Sequence, residues 1–245
     1  MKLLIDIGNH RLKWATYETK LSLTNTEVMD ATWLARLAPR WSSLPLPDAV
    51  WVSCVVSEDV LHQLGQWVAR TWSLPVDTAG AVDQQLGVKN RYTRPEEMGS
   101  DRWLAMIAAH YISPDHAVCI VDAGTAVTVD AVDREGNMLG GAIFPGLHLL
   151  RNSLTTHTAE IHKHQGQDNT LAVTGTADAV AVGTRLGLIG AVKEMIQHYR
   201  AMEDDDMQVI ITGGDAEVLL PELEGAEHIP GLVLQGLARV AEAGA

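Results

Sequence analysis

Two aspartates stand where an apolar run gives way to a glycine turn. Leu3-Leu4-Ile5 leads into Asp6-Ile7-Gly8-Asn9, and Cys119-Ile120-Val121 leads into Asp122-Ala123-Gly124-Thr125. Glycine lets a backbone approach an anion closely, so that its N–H groups point at phosphate oxygens. A carboxylate at the strand end does not bind phosphate itself, but it can hold a metal ion or an ordered water that bridges to it. Asp and Gly also favour ordinary hairpin turns. The repetition favours the phosphate reading. Asp6 and Asp122, like Gly8 and Gly124, are 116 residues apart, and each copy runs on into strand-like residues, Arg11 to Tyr17 and Ala126 to Val132.

A third constellation is Gly99-Ser100-Asp101-Arg102, which opens a helical pattern with Trp103, Met106, Ile107 and His110 on one face. An arginine matches a substrate carboxylate by bidentate hydrogen bonding. An aspartate there is placed either for catalysis or simply to complement the positive helix end, with Ser100 as N-cap. Thr176 is ambiguous in the same way, as a ligand contact or as the cap of a long helix from about Asp178 to Tyr199. In that helix Gly183, Gly187 and Gly190 line one face and read as close-packing positions. His157, His162 and His164 lie in a polar stretch with no metal-ligand spacing, so a surface loop is expected.

Strand and helix patterns alternate around these residues. Ala49 to Ser53 reads as a strand before a helix from Glu58 to Trp72, and Gln208 to Ile211 reads as a buried strand before the turn Thr212-Gly213-Gly214-Asp215. A last helix begins near Leu232. The alternation indicates α/β architecture. A repeat offset near half the chain predicts two similar domains, 1–113 and 114–245, meeting near the helix-breaking Pro114.

Several function classes drop out. A formal net charge of −13 opposes a sequence-independent grip on nucleic acid, which needs a basic surface. The acidic stretch Glu203 to Asp206 reads as a solvated loop. The two cysteines, Cys54 and Cys119, provide neither a disulfide framework nor a zinc site, as expected of a reduced cytosol. No apolar run reaches the length of a membrane span, and the first residues lack a signal-peptide core, so a cytoplasmic protein is expected. The dinucleotide fingerprint, the Gly-x4-Gly-Lys-Ser/Thr loop and His-Glu-x-x-His are all missing. Phosphate transfer here would proceed without a P-loop.

In order along the chain, these residues resemble the type III pantothenate kinases. The shared elements are Asp6-Ile7-Gly8-Asn9-His10, Tyr92 with Pro95, Gly99-Ser100-Asp101-Arg102 and Asp122-Ala123-Gly124-Thr125-Ala126. Gly140-Gly141-Ala142-Ile143-Phe144-Pro145-Gly146 and a variant of the family's Asn-Thr-x-x-Ala element at Gly175-Thr176-Ala177 follow. The resemblance implies duplicated RNase H-like domains of the actin-like ATPase fold, with mixed central sheets flanked by helices. It implies a transferase that phosphorylates pantothenate with ATP and Mg²⁺, aided by K⁺ or NH4⁺, and acts as a homodimer. By position, Asp101 resembles the general base. Tyr92, Gly99, Ser100, Asp101, Arg102 and Thr176 resemble substrate contacts. Asp6, Ile7, Gly8, Asn9, His10, Arg11, Leu12, Lys13 and Thr125 resemble the ATP site, Asp122 the monovalent-cation ligand, and Thr212 to Asp215 an adenosine-side turn. His10 departs from the family's Ser or Thr. Two other functions fit the fold: a kinase for another small hydroxy acid, and a regulatory accessory factor without turnover.

Overall fold

The computed structural model describes residues 1–157, 166–203 and 206–244. His162 and His164, and Asp204 and Asp205 of the acidic stretch, lie outside the described residues. The chain divides into two units, each built on a five-stranded mixed sheet.

In the first unit the strands in chain order are β1 (Lys2–Ile7), β2 (Arg11–Tyr17), β3 (Asn25–Val28), β4 (Ala49–Cys54) and β5 (Val76–Thr78). Their order across the sheet is β3-β2-β1-β4-β5, with β1 antiparallel to β2 and parallel to β4. The central strand β1 reads as a continuous apolar run because helices cover both of its faces. On one face Leu3, Ile5 and Ile7 pack with Trp33, Leu37 and Trp41 of α1 (Trp33–Ser42) and with Leu64 and Val68 of α2 (Glu58–Trp72). After β5 come the short hairpin β6 (Gln84–Gln85) and β7 (Val88–Lys89), a 3₁₀ turn at Pro95–Glu97, and α3 (Ser100–Ile112). Helix α3 is buried along nearly its whole length, beneath the C-terminal helix described below.

The second unit repeats the plan. Its strands are β8 (Ala117–Ala123), β9 (Ala126–Val132), β10 (Met138–Pro145), β11 (Met207–Thr212) and β12 (Ala226–His228), ordered β10-β9-β8-β11-β12. The two orders are the same once each set is numbered from its first strand. Between β10 and β11 lie α4 (Leu147–His157) and α5 (Thr176–Met202), and α6 (Ala216–Leu219) follows β11. Cys119, Val121, Val127, Val129, Val209 and Ile211 form a core with Leu188, Val192 and Ile196 of α5.

One boundary differs from the expected division at 113/114. The chain from Gly231 onward, including α7 (Leu232–Ala243), belongs to the first unit, as does Arg134–Met138. Helix α7 packs on α3, β1, β2 and β4. A Cβ on Gly236 would sit 2.0 Å from the carbonyl oxygen of Leu104, so a glycine is what lets α7 lie this close to α3. Among the described residues no helix is long and apolar enough to cross a membrane.

Candidate active site

In the first unit the turn after β1 is closed by the Gly8 N–H, which donates to the Arg11 carbonyl at 3.0 Å. Asp6 is buried, cross-strand from Lys13 on β2 and in register with Ser53 on β4. Gly8 is half-buried, whereas Asn9, His10 and Arg11 are exposed. Ile7 and Leu12 are fully buried core residues, so any contact they make with a ligand is through the backbone. The turn after β8 in the second unit follows the same design with one residue fewer, the Gly124 N–H donating to Ala126 at 3.0 Å. Register accounts for the difference: Ile7 pairs with Leu12, but Ala123 pairs with Val127. Asn9 and His10 therefore follow the glycine of a turn in which the second copy has only Thr125 after its glycine.

The start of α3 brings the third constellation together. The carboxylate of Asp101 folds back over Gly99, where a Cβ would meet Oδ1 at 2.5 Å, and accepts the Arg102 N–H at 2.8 Å. Arg102 is buried, with Nη1 donating to the Tyr92 hydroxyl at 2.8 Å and its guanidinium 5.8 Å from that ring's centroid. Asn90 Oδ1 accepts the Tyr92 N–H at 3.0 Å and so fixes the loop that carries the tyrosine. Tyr92, Gly99, Asp101 and Arg102 thus form one cluster within one unit. Ser100 is not the N-cap: Gly99 caps the helix, and the Ser100 hydroxyl is turned inward, 3.0 Å from Ser53 Oγ. Ser53 and Asn90 were not singled out from the sequence. The one available signal for Ser53 was a hydroxyl at the end of an apolar strand.

Around Asp122 two glycine segments converge. Gly213 has a φ of +99°, and a Cβ there would fall 2.2 Å from the Ala123 carbonyl and 2.5 Å from Asp122 Oδ1. The Asp215 N–H donates to Ala123 at 2.9 Å, which folds Thr212-Gly213-Gly214-Asp215 over the end of β8. Gly146 N–H donates to the Thr125 carbonyl at 2.9 Å, which puts the start of α4 beside the second glycine turn. A helix start there adds N–H groups and a partial positive charge that suit phosphate. Thr128 and Thr212 are the register neighbours of Asp122. This all-oxygen donor set suits a hard cation. Among the described residues no three metal-ligating side chains cluster.

Thr176 is the first residue of α5 and is exposed; Gly175 is the N-cap. Gly183, Gly187 and Gly190 do not serve close packing within the chain, because nothing among the described residues lies within 4 Å of a Cβ at any of them. Instead, Gly183 and Gly187 line an apolar groove of about 550 Å³ with Phe144, Leu150, Thr176 and Leu188. Neither cysteine is poised as a nucleophile: burial pushes the Cys119 thiol up to about 12 and also raises Cys54.

The sheet order, repeated with a glycine turn after each central strand, defines the class as the sugar-kinase and actin-like ATPase fold. The inorganic polyphosphate/ATP-glucomannokinase of Arthrobacter sp. strain KM superposes with a TM-score of 0.50 at 14% identity, covering 99% of this chain and 98% of that one. A conserved Campylobacter jejuni protein, described as a candidate Baf family transcriptional activator, superposes at 0.60 and 20% identity, with 99% and 98% coverage. The sequence pattern of type III pantothenate kinases matches residues 2–198. The type III pantothenate kinase of Nitrosococcus oceani is 36% identical over 251 residues, covering 99% of this chain and 94% of its own. The chain belongs to the type III pantothenate kinase family.

The Gly213 geometry yields a test on the nucleotide side. Gly213→Ala forces a Cβ against Ala123 and Asp122 and makes an L residue adopt a left-handed backbone, which costs about 1–2 kcal/mol before any clash. The Kd for a non-hydrolysable ATP analogue, measured by calorimetry, should rise at least about tenfold, the equivalent of 1.4 kcal/mol. An unchanged Kd would show that this turn does not shape the nucleotide site.

Proposed function

We propose that Asp101 is the general base in the reaction of this kinase family, ATP-dependent transfer of phosphate to pantothenate. The product is 4′-phosphopantothenate, at the first step of coenzyme A biosynthesis. The observation that carries this reading is the α3 cluster, in which a half-buried carboxylate and a buried arginine share a helical turn and the arginine is braced by Tyr92. Asp101 takes the proton from the pantothenate primary hydroxyl as that oxygen attacks the γ-phosphorus. The bond to the β-phosphate oxygen breaks and ADP leaves. Arg102 and Tyr92 engage the pantothenate carboxylate, and Gly99 leaves the space that the Asp101 carboxylate occupies.

Asp6 to Lys13 and Thr125 bind ATP at the two glycine turns, with Lys13 as the adjacent cation. Mg²⁺ arrives with the nucleotide. Asp122 holds a monovalent cation, K⁺ or NH4⁺, which would neutralise charge near the phosphates. Such a site gains most of its rate from placing the hydroxyl in line and from charge already oriented toward the transferring group. The working form is a cytoplasmic homodimer. The open apolar groove along α5, with Leu186 and Ile143 exposed, supports a second copy covering that face and bringing its Thr176 into use.

Two measurements follow. Asp101→Asn should lower kcat by about 10²–10⁴, the usual worth of a positioned base, while pantothenate binding survives in part through Arg102. Near wild-type turnover would reduce Asp101 to a helix-end charge. Replacing Na⁺ by K⁺ or NH4⁺ at constant ionic strength should raise the rate, and Asp122→Ala should blunt that rise. Equal rates in all three salts would remove the cation from the mechanism.

A further inference from the structure

Ser53 takes no part in the chemistry outlined above, yet it lies between two residues that do. It is fully buried near the end of β4, in parallel register with Asp6 of β1. Its hydroxyl is 3.0 Å from that of Ser100, the first residue of α3, which is itself buried. Asp101 follows directly.

We infer that the Ser53–Ser100 hydroxyl pair positions the Asp101 carboxylate by tying the first turn of α3 to the central sheet. The inference rests on Asp101 being the base. The N-terminus of α3 has no side-chain cap: Gly99 occupies the cap position and offers no acceptor. First turns without a capping side chain fray more readily. The hydroxyl pair is a lateral tether placed one residue before the carboxylate. Asp101 has little latitude, because its Oδ1 is folded over Gly99 where no Cβ intervenes and accepts the Arg102 N–H. A small rotation of the first turn would therefore move the carboxylate away from the hydroxyl it deprotonates. A displacement near 1 Å at a reacting group costs up to about 100-fold in rate.

The second unit has a buried hydroxyl at the same place. Thr212 is in parallel register with Asp122, as Ser53 is with Asp6, and is 2% exposed. Apolar residues fill most positions at this depth in both sheets, so the hydroxyl beside the strand-end aspartate belongs to the repeated plan. In the first unit that plan extends to α3 through Ser100.

The test uses the full-length protein and follows kcat and the KM values for ATP and pantothenate in Ser53→Ala, alone and combined with Asp101→Asn. Rates are normalised to the folded fraction. Ser53→Ala should lower kcat roughly 10- to 100-fold. In the Asp101→Asn background it should cost less than about twofold more, because a positioning group has nothing left to position. If Ser53→Ala leaves a buried Ser100 hydroxyl too costly to fold around, Ser53→Ala/Ser100→Ala removes both partners and is read in the same way. A kcat within twofold of wild type would overturn the inference, and so would an equal fold-loss with and without the Asp101 carboxylate. Full turnover by Asp101→Asn alone would instead remove the base assignment on which the tether depends.

Discussion

A carboxylate at the last turn of a strand buried on both faces is the constraint on which each half of this protein depends. β1 and β8 carry apolar runs where helices cover them, and these runs are broken at Asp6 and Asp122. Burying a charged group is expensive unless polar partners surround it. Both sheets supply such partners by register: Lys13 and Ser53 beside Asp6, Thr128 and Thr212 beside Asp122. A glycine follows each aspartate at two residues' distance, so a tight backbone turn stands next to each strand-end carboxylate.

The two copies have diverged around that shared plan. The first keeps a longer turn, with His10 in the added space, and a helix, α3, that carries the acid–arginine pair. The second has a tighter turn, closed by Gly146 on one side and Gly213 on the other. In both, glycines stand where backbone must meet backbone, and the chemistry-bearing side chains come from the residues beside them. The fold thus supplies two related glycine turns, and only the first unit adds a helix, α3, with an acid–arginine pair at its start.

Much of this was legible in the sequence because it rests on local patterns. The duplicated Asp-x-Gly, the strand runs and α2 over Glu58–Trp72 all follow from periodicity and composition. What periodicity does not encode is the destination of a helix. Helix α7 shows an apolar face, but its packing on α3, β1, β2 and β4, with Gly236 against Leu104, is what places it in the first unit and not in the C-terminal half of the chain. The cap positions are not legible in the sequence for a related reason. Ser100 and Thr176 have capping side chains, but glycines precede both and take the cap position, which leaves the Ser100 hydroxyl for Ser53. Gly183 and Gly187 looked like packing positions, and a periodic pattern has no means of distinguishing a packed face from an open one.

What this arrangement does is transfer phosphate to the hydroxyl of pantothenate. The most direct test incubates the purified protein with ATP, Mg²⁺, K⁺ and pantothenate and measures 4′-phosphopantothenate by mass spectrometry alongside ADP. Product and ADP should form in equal amounts and only when pantothenate is present. ADP formed at the same rate without pantothenate, or no phosphorylated product with fully folded enzyme, would contradict it.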